Sequence, residues 1–288
     1  MAKRGTLRVG FVTSDQYRAL TPDDRTAIEA FGARGLEVVP VVWSEPLPDT
    51  LDALILRSTW DYHLRLAEFL AWVDRVETLG PPLWNPPATV RWNVDKRYLL
   101  EVEARGVPIV PTRHVARGSG HRLPALLQDA GWEAAVVKPV VSGGAFETWR
   151  AEPNEADAVR FARQLERMDC LVQPFLPELV SAGEWSLLFV QGRYSHAVLK
   201  RPVSGDFRVQ EEFGGVFTPA EPPREVVAGA SQALEVAGQK TLYARVDGVV
   251  RRGRLEIMEL ELVEPSLFLA TSPGSAARFA AAAAAVLP

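Results

Sequence analysis

Residues 255–263 alternate apolar and acidic side chains in a way that leaves little choice of local structure. Successive side chains of a β-strand point to opposite faces, so Glu259 and Glu261 share one face and the apolar residues share the other. A turn at Gly253 would fold Asp247 back beside the two glutamates, as in a β-hairpin. Three converging carboxylates suit a hard cation such as Mg²⁺. The alternative interpretation is a solvated strand face.

Composition narrows the class of protein. The chain has 288 residues, of which 47% are hydrophobic and 24% charged, as in a globular protein with two or three subdomains. The single cysteine, Cys170, excludes a disulfide framework and indicates a reducing cytoplasm as the location. Four histidines without ligand-like spacing argue against zinc.

Charge and hydropathy indicate the kind of partner. The net charge of −4 argues against a general nucleic-acid binder, and no apolar stretch is long and pure enough to span a membrane. We therefore expect a small-molecule substrate and neither a nucleic-acid nor a membrane partner; both a monomer and a homo-oligomer fit this composition. Two basic pairs, Lys200–Arg201 and Arg251–Arg252, could still meet a phosphate-bearing small molecule.

The first third of the chain alternates strand and helix patterns. Strands are predicted at residues 7–12, 36–43 and 51–56, and helices at residues 21–35 and 66–79. Thr21 at the cap and Pro22 in the first turn are typical of a helix start. Because helical segments connect these strands, the pattern predicts an α/β unit with an open parallel sheet.

The later part of the chain is predicted to be α+β, with antiparallel strands at residues 184–190, 193–200, 242–250 and 255–262. The proline-rich segment 81–87 indicates a linker between the two parts. We expect four units: an N-terminal α/β domain at 1–92, a linker at 93–111 with a helix from Lys96 to Ala104 followed by a strand, a central subdomain at 112–177, and a C-terminal subdomain with the metal site at 178–288.

Lys138 lies in an apolar predicted strand just before a glycine loop. A lysine is costly to bury there without a partner. The loop residues Ser142, Gly143 and Gly144 carry little bulk, so their backbone amides could fold over phosphates. The alternative is a strand end with a flexible turn.

Residues 173–178 follow a buried-looking strand, and two prolines hold them extended. Their backbone could line an adenine pocket while a carboxylate grips the ribose hydroxyls; a rigid hinge is the alternative, and both readings are compatible. Residues 205–215 form a long polar segment between strands. Its Arg208 could bind a transferring phosphate or a substrate carboxylate, unless it is a surface arginine in a mobile loop.

These elements together resemble the ATP-grasp superfamily, in the branch of glutathione synthetase and the ribosomal-protein glutamate ligase. The resemblance covers about residues 93–270 and implies a two-lobed ATP-grasp fold, with its lid at 112–177, after the N-terminal open sheet. It rests on five motifs in one order: Asp95–Lys96, the Lys138–Gly144 loop, the Gln173–Glu178 hinge, Gly205–Arg208, and Asp247 before Glu259 and Glu261.

The resemblance implies roles for individual residues. ATP and two Mg²⁺ ions are the implied cofactors. Lys96 and Lys138 would hold the nucleotide phosphates, and Arg208 and Lys200 would steady the transferring phosphoryl group as the catalytic residues. The remaining nucleotide-binding residues would be the glycine loop, Gln173, the backbone of Phe175 and Leu176 at the adenine, Glu178 at the ribose, and Glu184; the metal ligands would be Asp247, Glu259 and Glu261.

A narrower resemblance is to bacterial ligases related to the cyclo-ligase of D-cycloserine biosynthesis. It rests on residues 57–63, 85–87, 91–93, 95–100 and 258–262. The chain departs from many superfamily members at two positions. Glu261 stands where they carry asparagine, and Pro265–Ser266 stands where they carry Pro-Gly, a turn that often faces the acceptor.

The resulting expectation is an ATP- and Mg²⁺-dependent carboxylate–amine ligase that forms an acyl phosphate on a small amino-acid-like substrate, with an intramolecular cyclo-ligase as one form. The alternatives are a small-molecule kinase with a stable phosphorylated product and a non-catalytic nucleotide-binding regulator. Ligands usually bind at the carboxyl ends of parallel strands, so we expect Ser58, Thr59, Trp60 and Asp61, which follow the third strand, to lie near the substrate.

Overall fold

A computed structural model describes residues 6–203, 208–209 and 214–287. The N-terminal sheet is parallel throughout and has the order β2-β1-β3-β4. The expected open α/β unit is therefore confirmed. Its elements are β1 (Leu7–Thr13), α1 (Pro22–Gly32), β2 (Leu36–Val42), β3 (Ala53–Ser58), α2 (Leu66–Leu79) and β4 (Leu83–Trp84).

Two short helices lead from this unit to an antiparallel second sheet with the order β5-β8-β6-β7. The helices are α3 (Pro87–Asn93) and α4 (Tyr98–Ala104). The second sheet and its covering helices are β5 (Arg113–Val115), α5 (Leu123–Ala130), β6 (Ala135–Pro139), β7 (Trp149–Ala151), α6 (Glu155–Leu165) and β8 (Cys170–Pro174).

A third, five-stranded sheet has the order β11-β10-β9-β12-β13, with antiparallel neighbours. Its strands are β9 (Glu184–Val190), β10 (Arg193–Arg201), β11 (Val216–Pro219), β12 (Tyr243–Arg251) and β13 (Arg254–Glu261); the accompanying helices are α7 (Pro177–Ser181), α8 (Arg224–Ala237) and α9 (Ser275–Val286). Among the described residues, no helix is long and apolar enough to cross a membrane.

Local signals predict some helix boundaries and miss others. Thr21 Oγ1 accepts a hydrogen bond from Asp24 N, so α1 begins at the predicted cap, but α1 ends at Gly32 and not at Gly35. The expected helix at Lys96 begins two residues later, at Tyr98. The backbone N–H of Lys96 instead donates to Val140 O at 2.8 Å, which ties the linker to the second sheet.

The last helix packs on the first sheet. Phe279 of α9 lies in one buried cluster with Val9 and Phe11 of β1 and Phe31 of α1. A separate buried cluster fills the space between α8 and the third sheet. The two ends of the chain therefore share a core, which also contains Leu188 and Tyr243 of the third sheet.

Candidate active site

The β12–β13 hairpin brings the acidic residues of the two strands together. The two-residue turn at Arg252 and Gly253 sets the register, in which Asp247 pairs with Glu259 and Arg245 with Glu261. The hairpin predicted from the Gly253 turn is confirmed. The structure thus places the three expected metal ligands on neighbouring strands, whereas their role as ligands stays a prediction.

Each of these carboxylates already has a cationic partner. Asp247 accepts hydrogen bonds from Arg245 Nη2 at 2.9 Å and from Lys200 Nζ at 3.1 Å. Arg245 also pairs with Glu261, and Lys96 Nζ lies 3.1 Å from Glu259. Arg245 is the main residue that sequence reasoning missed. Its position two residues before Asp247, and so on the same strand face, was the available signal.

Burial and mutual repulsion set the protonation of the cluster. Burial, followed by the neighbouring carboxylate of Glu261, raises the pKa of Glu264 to about 8. Burial raises the pKa of Glu261 to about 7, against the opposing effect of Arg245. For Asp247 burial acts in the same upward direction, but Arg245 and Lys200 outweigh it and hold its pKa well below the usual range.

The donor set fits Mg²⁺ in its chemistry. All its members are carboxylates, which hard divalent cations prefer, and they lie on two neighbouring strands in paired register. The described residues contain no group of three acidic, histidine or cysteine side chains already converging as ligands on one point. A bound cation would therefore compete with Arg245 and Lys96 for these oxygens.

Two lysines lie at the glycine loop. Lys96 Nζ donates to Ser142 O at 2.5 Å, so one lysine joins the loop to the acidic cluster through Glu259. Lys138 is buried and has no ion-pair partner among the residues that the structure describes. Burial lowers its pKa, and nearby Lys96 acts in the same direction, while Glu259 opposes it. Such a lysine would gain from an anionic ligand.

The glycine loop is closed against the loop that follows β3. A Cβ added at Gly143 would lie 3.1 Å from His63 Nδ1 and 3.5 Å from Trp60 O. The rings of His63 and Phe146 have centroids 5.0 Å apart. Gly144 has a φ of 55°, the left-handed conformation that a glycine adopts readily. The predicted loop residues thus lie where they can cover a ligand bound near Lys96.

The predicted adenine-binding hinge lies beside a cluster of buried apolar side chains. Gln173 is buried and donates from Nε2 to Thr112 Oγ1 at 2.9 Å. The backbone N–H of Phe175 is already used by Ala134 O at 2.9 Å, which restricts what this residue could offer adenine. The neighbouring buried cluster contains Leu176, Val110, Leu179, Val209 and Val249.

The two glutamates expected to bind the nucleotide, Glu178 at the ribose and Glu184, lie in different surroundings. Glu184 is buried and pairs with Lys200, which also binds Asp247, so Glu184 belongs to the acidic cluster. Burial raises its pKa. Glu178 instead accepts from Arg251 Nε at 3.2 Å, and its Oε2 is buried without a hydrogen-bond partner among the described residues. Both remain candidates for a hydroxyl-bearing ligand.

Arg208 is half-buried, next to the buried Val209. Much of the predicted segment 205–215, namely residues 205–207 and 210–213, lies outside the described residues. The proposed role of Arg208 stays a prediction.

The loop after β3 adjoins the same region, but three of its four predicted substrate residues have internal partners. Ser58 Oγ lies 2.8 Å from Thr13 Oγ1. Trp60 Nε1 donates to Glu264 O at 2.9 Å, and Asp61 Oδ1 accepts from Trp43 Nε1 at 2.8 Å. Thr59 differs, because its Oγ1 is buried with no partner among the described residues.

Arg57, at the end of β3, anchors this loop to two other parts of the chain. It is fully buried, donates to Asp24 Oδ1 at 2.8 Å and reaches Pro265 O at 3.1 Å. Glu264 and Pro265 directly follow β13. The Arg57 contact to Pro265 and the Trp60 contact to Glu264 therefore hold the loop after β3 against the end of the β12–β13 hairpin.

Comparison with known proteins gives a consistent result. A family model described as the N-terminal domain of the D-cycloserine synthetase DcsG matches residues 9–85. The cycloserine biosynthesis protein DcsG of Streptomyces lavendulae is 33% identical over 280 residues, covering 89% of this chain and 91% of that protein.

Solved structures agree. The crystal structure of D-cycloserine synthetase DcsG is similar with a TM-score of 0.86 at 30% identity, covering 98% of this chain and all 100% of that one. The D-alanine–D-alanine ligase of Bacillus anthracis gives a TM-score of 0.70 at 16% identity, covering 96% and 95% of the two chains. That second likeness is one of fold alone.

Proposed function

The chain belongs to the ATP-grasp ligases, in the family of the D-cycloserine synthetase DcsG, and on that premise we propose that it joins a carboxylate to an amine through an acyl phosphate on a small amino-acid-like substrate. The general activity, that of an ATP-dependent ligase that forms C–N bonds, follows from membership of the family. One observation supports the proposed acyl-phosphate reaction most directly. Lys96 contacts both Ser142 in the glycine loop and Glu259 in the β12–β13 hairpin, and so links the two elements.

Nucleotide binding would use the two lysines and the hinge. Lys138, buried without an ion-pair partner among the described residues, and Lys96 would meet the phosphates under the loop of Ser142, Gly143 and Gly144. The apolar cluster beside Leu176 would take the adenine, Glu178 is the candidate for the ribose, and Glu184 is a further nucleotide-binding candidate.

ATP-grasp ligases use ATP with Mg²⁺, and Asp247, Glu259 and Glu261 would hold the metal, with two ions proposed. When bound, Mg²⁺ neutralises phosphate charge and polarises the oxygens of the transferring group. Lys200 and Arg245 contact Asp247 directly, so they are placed to fix its carboxylate and to add positive charge near the phosphates. Arg208 is kept as a further candidate for the transferring phosphoryl group.

The proposed reaction has two steps. An oxygen of the substrate carboxylate attacks the γ-phosphorus, the bond to ADP breaks, and an acyl phosphate forms. The amine then attacks the acyl carbon, inorganic phosphate leaves, and the amine loses a proton. Water would destroy the intermediate, so the closed glycine loop against His63 and Trp60 would protect it.

An intramolecular form of this reaction is the narrower proposal. In it, one substrate molecule carries both the activated carboxylate and the attacking amine, and the product is a ring. Support comes from the relatives, which are named for cycloserine biosynthesis and as a D-cycloserine synthetase. The unpartnered Thr59 hydroxyl at the substrate-side loop would supply one polar contact.

The test is an ADP-release screen over amino acids and their O-ureido, hydroxamate and dipeptide derivatives. We expect Mg²⁺-dependent ADP release with a true substrate, and its loss in Glu259→Gln, which removes the carboxylate charge beside Lys96. Glu152→Gln is the control, because that glutamate forms an exposed pair with Arg150. Substantial turnover in Glu259→Gln would show that the metal assignment is wrong.

Product analysis separates the alternatives. A ligase gives free phosphate and a product lighter by one water than the joined substrates, whereas a kinase gives a stable phosphorylated product. Binding of Mg-ATP without hydrolysis across the whole panel would favour the nucleotide-binding regulator.

A further inference from the structure

A surface cavity of about 530 Å³ lies behind the hinge, and none of the acidic-cluster residues Glu184, Asp247, Glu259 and Glu261 lines it. Its walls come from three parts of the chain: Pro108 in the linker, Trp132 and Pro174 at the second sheet, and the tip of the β12–β13 hairpin. The volume lies within the range of small-molecule sites. The proposed reaction does not use this cavity, and Pro174 is the one residue of the 173–178 hinge that lines it.

The hairpin tip gives the cavity its positive charge. Arg251, Arg252 and Arg254 all line it, together with two glutamates, Glu256 and Glu103. Arg251 is largely neutralised, since it donates to Glu256 Oε2 at 2.8 Å and to Glu178 Oε1 at 3.2 Å. Arg254 lies 3.9 Å from the buried Glu256, which Arg251 already holds. Positive charge therefore remains on Arg252 and Arg254.

Arg252 occupies a position where arginine is unfavourable for the backbone. It and Gly253 form the two-residue turn, with φ values of 51° and 77°. Turns of this kind favour Asn-Gly, because most side chains are strained at positive φ. The side chain gains no compensating contact, since Arg252 has no hydrogen bond or ion pair within the described part of the chain. The strained backbone holds an arginine at the cavity rim.

We propose that this cavity binds a phosphate-bearing small molecule through Arg252 and Arg254, with its uncharged part against Trp132 and Pro174. Arginine offers the fork of N–H donors that phosphate oxygens accept, and proline and tryptophan provide an apolar wall. The ligand would bridge the second sheet and the hairpin of the third sheet.

The same geometry couples the cavity to the hinge. Arg251 lines the cavity and also holds Glu178 in the first turn of α7, directly after the hinge. A phosphate group that attracts Arg251 weakens its contact with Glu178, and Pro174 lies in the wall at the end of β8. This coupling rests on the proposed role of Glu178 at the ribose: with Glu178 in that role, binding in the cavity changes the affinity of the nucleotide site.

The experiment is calorimetric titration of fructose 1,6-bisphosphate into the full chain saturated with Mg-AMPPNP, so that the nucleotide site is occupied. This probe carries phosphates but no carboxylate that could act as an acyl substrate. We expect saturable binding to the wild type and about tenfold weaker binding to Arg252→Asn, as for loss of one charge-assisted contact. Asparagine suits the turn, so this variant should fold at least as well as the wild type.

Gln191→Asn is the matched control. Gln191 and Gly192 form the turn between β9 and β10 with φ values of 48° and 71°, so asparagine relieves the same backbone conformation away from the cavity. This variant should bind the probe like the wild type. No saturable binding to the wild type, or equal affinity in Arg252→Asn, overturns the site. An AMPPNP affinity that is the same with and without the probe overturns the coupling.

Discussion

Thr59 differs from its neighbours in the substrate-side loop, because its buried hydroxyl has no partner in the described structure. A buried polar atom left without a hydrogen bond costs roughly 1–3 kcal/mol. A hydroxyl of this kind is well suited to a ligand that satisfies it. Ser58, Trp60 and Asp61 already have internal partners, so they are better suited to shaping the loop.

Replacing Thr59 by valine tests this distinction. We expect an unchanged or higher thermal midpoint, because no internal hydrogen bond is lost, and a KM for the acyl substrate raised about tenfold. Thr13→Val is the control, since Thr13 Oγ1 donates to Tyr17 O at 3.0 Å and contacts Ser58. Its stability should fall by about 1–3 kcal/mol. A clear loss of stability in Thr59→Val would mean that Thr59 has an internal partner.

Glu261 carries one more negative charge than the asparagine that many superfamily members have at this position. Arg245 forms an ion pair with it. The guanidinium lies between Asp247 and Glu261 and binds both. The pair explains how a third carboxylate is tolerated among buried groups, since an unpaired buried charge is costly. Arg245 and Glu261 are therefore best treated as one unit in mutagenesis.

At the scale of elements, the contact between the glycine loop and the 59–63 loop depends on a missing methyl group. Gly143 has no positive φ, so alanine is allowed by the backbone, but its Cβ would meet His63 Nδ1 at 3.1 Å. Gly143→Ala should push the loop outward, lower kcat and raise the ADP released per ligated product, because water would reach the proposed acyl phosphate. Parallel assays of ADP and product measure this.

Removing the imidazole ring of His63 should reverse the excess ADP release of Gly143→Ala. His63→Ala makes room for the added methyl group, so the double variant Gly143→Ala/His63→Ala should recover much of the coupling between ATP use and ligation. Gly32→Ala serves as control, since a Cβ there meets nothing within 4 Å. If the double variant is as uncoupled as Gly143→Ala alone, the contact with His63 does not govern loop closure.

His196 joins β10 to the segment after β13 and makes stability depend on pH. Its Nε2 lies 2.9 Å from Leu267 O, to which it donates, and burial lowers its pKa from the usual 6.5. As the pH falls below 6.5, the unfolded chain takes up a proton that the folded chain resists, so the free energy of unfolding decreases; above 6.5 this contribution is fully present.

Urea unfolding at about pH 7.5 and about pH 5.5 measures that effect. We expect His196→Gln, which keeps a donor but cannot titrate, to lose less stability on acidification than the wild type. Some pH dependence should remain, because burial also lowers the pKa of His63. An identical pH dependence in wild type and variant would contradict the assignment to His196.

Local sequence patterns predicted the helices and strands better than the contacts between segments that are distant in sequence. The alternation around Glu259 and the turn at Gly253 were sufficient for the hairpin, because strand period and turn chemistry are local properties. Strands of the first sheet and α2 were also recognised from periodicity. Lys96 was expected inside a helix, but its N–H bonds Val140 O, a contact between distant segments that local propensity does not encode.

The same limit applies to the candidate site. Sequence motifs indicated the lysines and carboxylates, but not that Arg245 would bind two of the acids or that Trp60 would reach Glu264 O. Such pairings depend on which elements meet in three dimensions. The subdomain boundaries at 92/93, 111/112 and 177/178 stay predictions. Helix α9 belongs to the predicted C-terminal subdomain but packs on the sheet of the N-terminal unit.

At the scale of the whole molecule, Phe279 should be among the most sensitive core positions, although it lies in the last helix. Its ring packs 5.3 Å from Phe31 and 6.0 Å from Tyr243, between centroids. Phe279→Ala should cost about 3–5 kcal/mol. Denaturant unfolding followed by far-UV circular dichroism and tryptophan fluorescence measures this loss, and the two signals should change together.

Phe217→Ala is the control for that prediction. Phe217 is half-buried and packs against Phe268 with centroids 5.0 Å apart, so its removal should cost about 1 kcal/mol. Equal effects of the two substitutions would show that α9 does not support the first sheet.

The shared core of α1 and α9 has a consequence for biosynthesis. The ribosome releases the strands of the first sheet early, but the helix that covers part of their apolar face is translated at the very end of the described chain. Until then that face is open to chaperones or to contact with other nascent chains. The N-terminal unit is therefore made first but completed only when α9 is added.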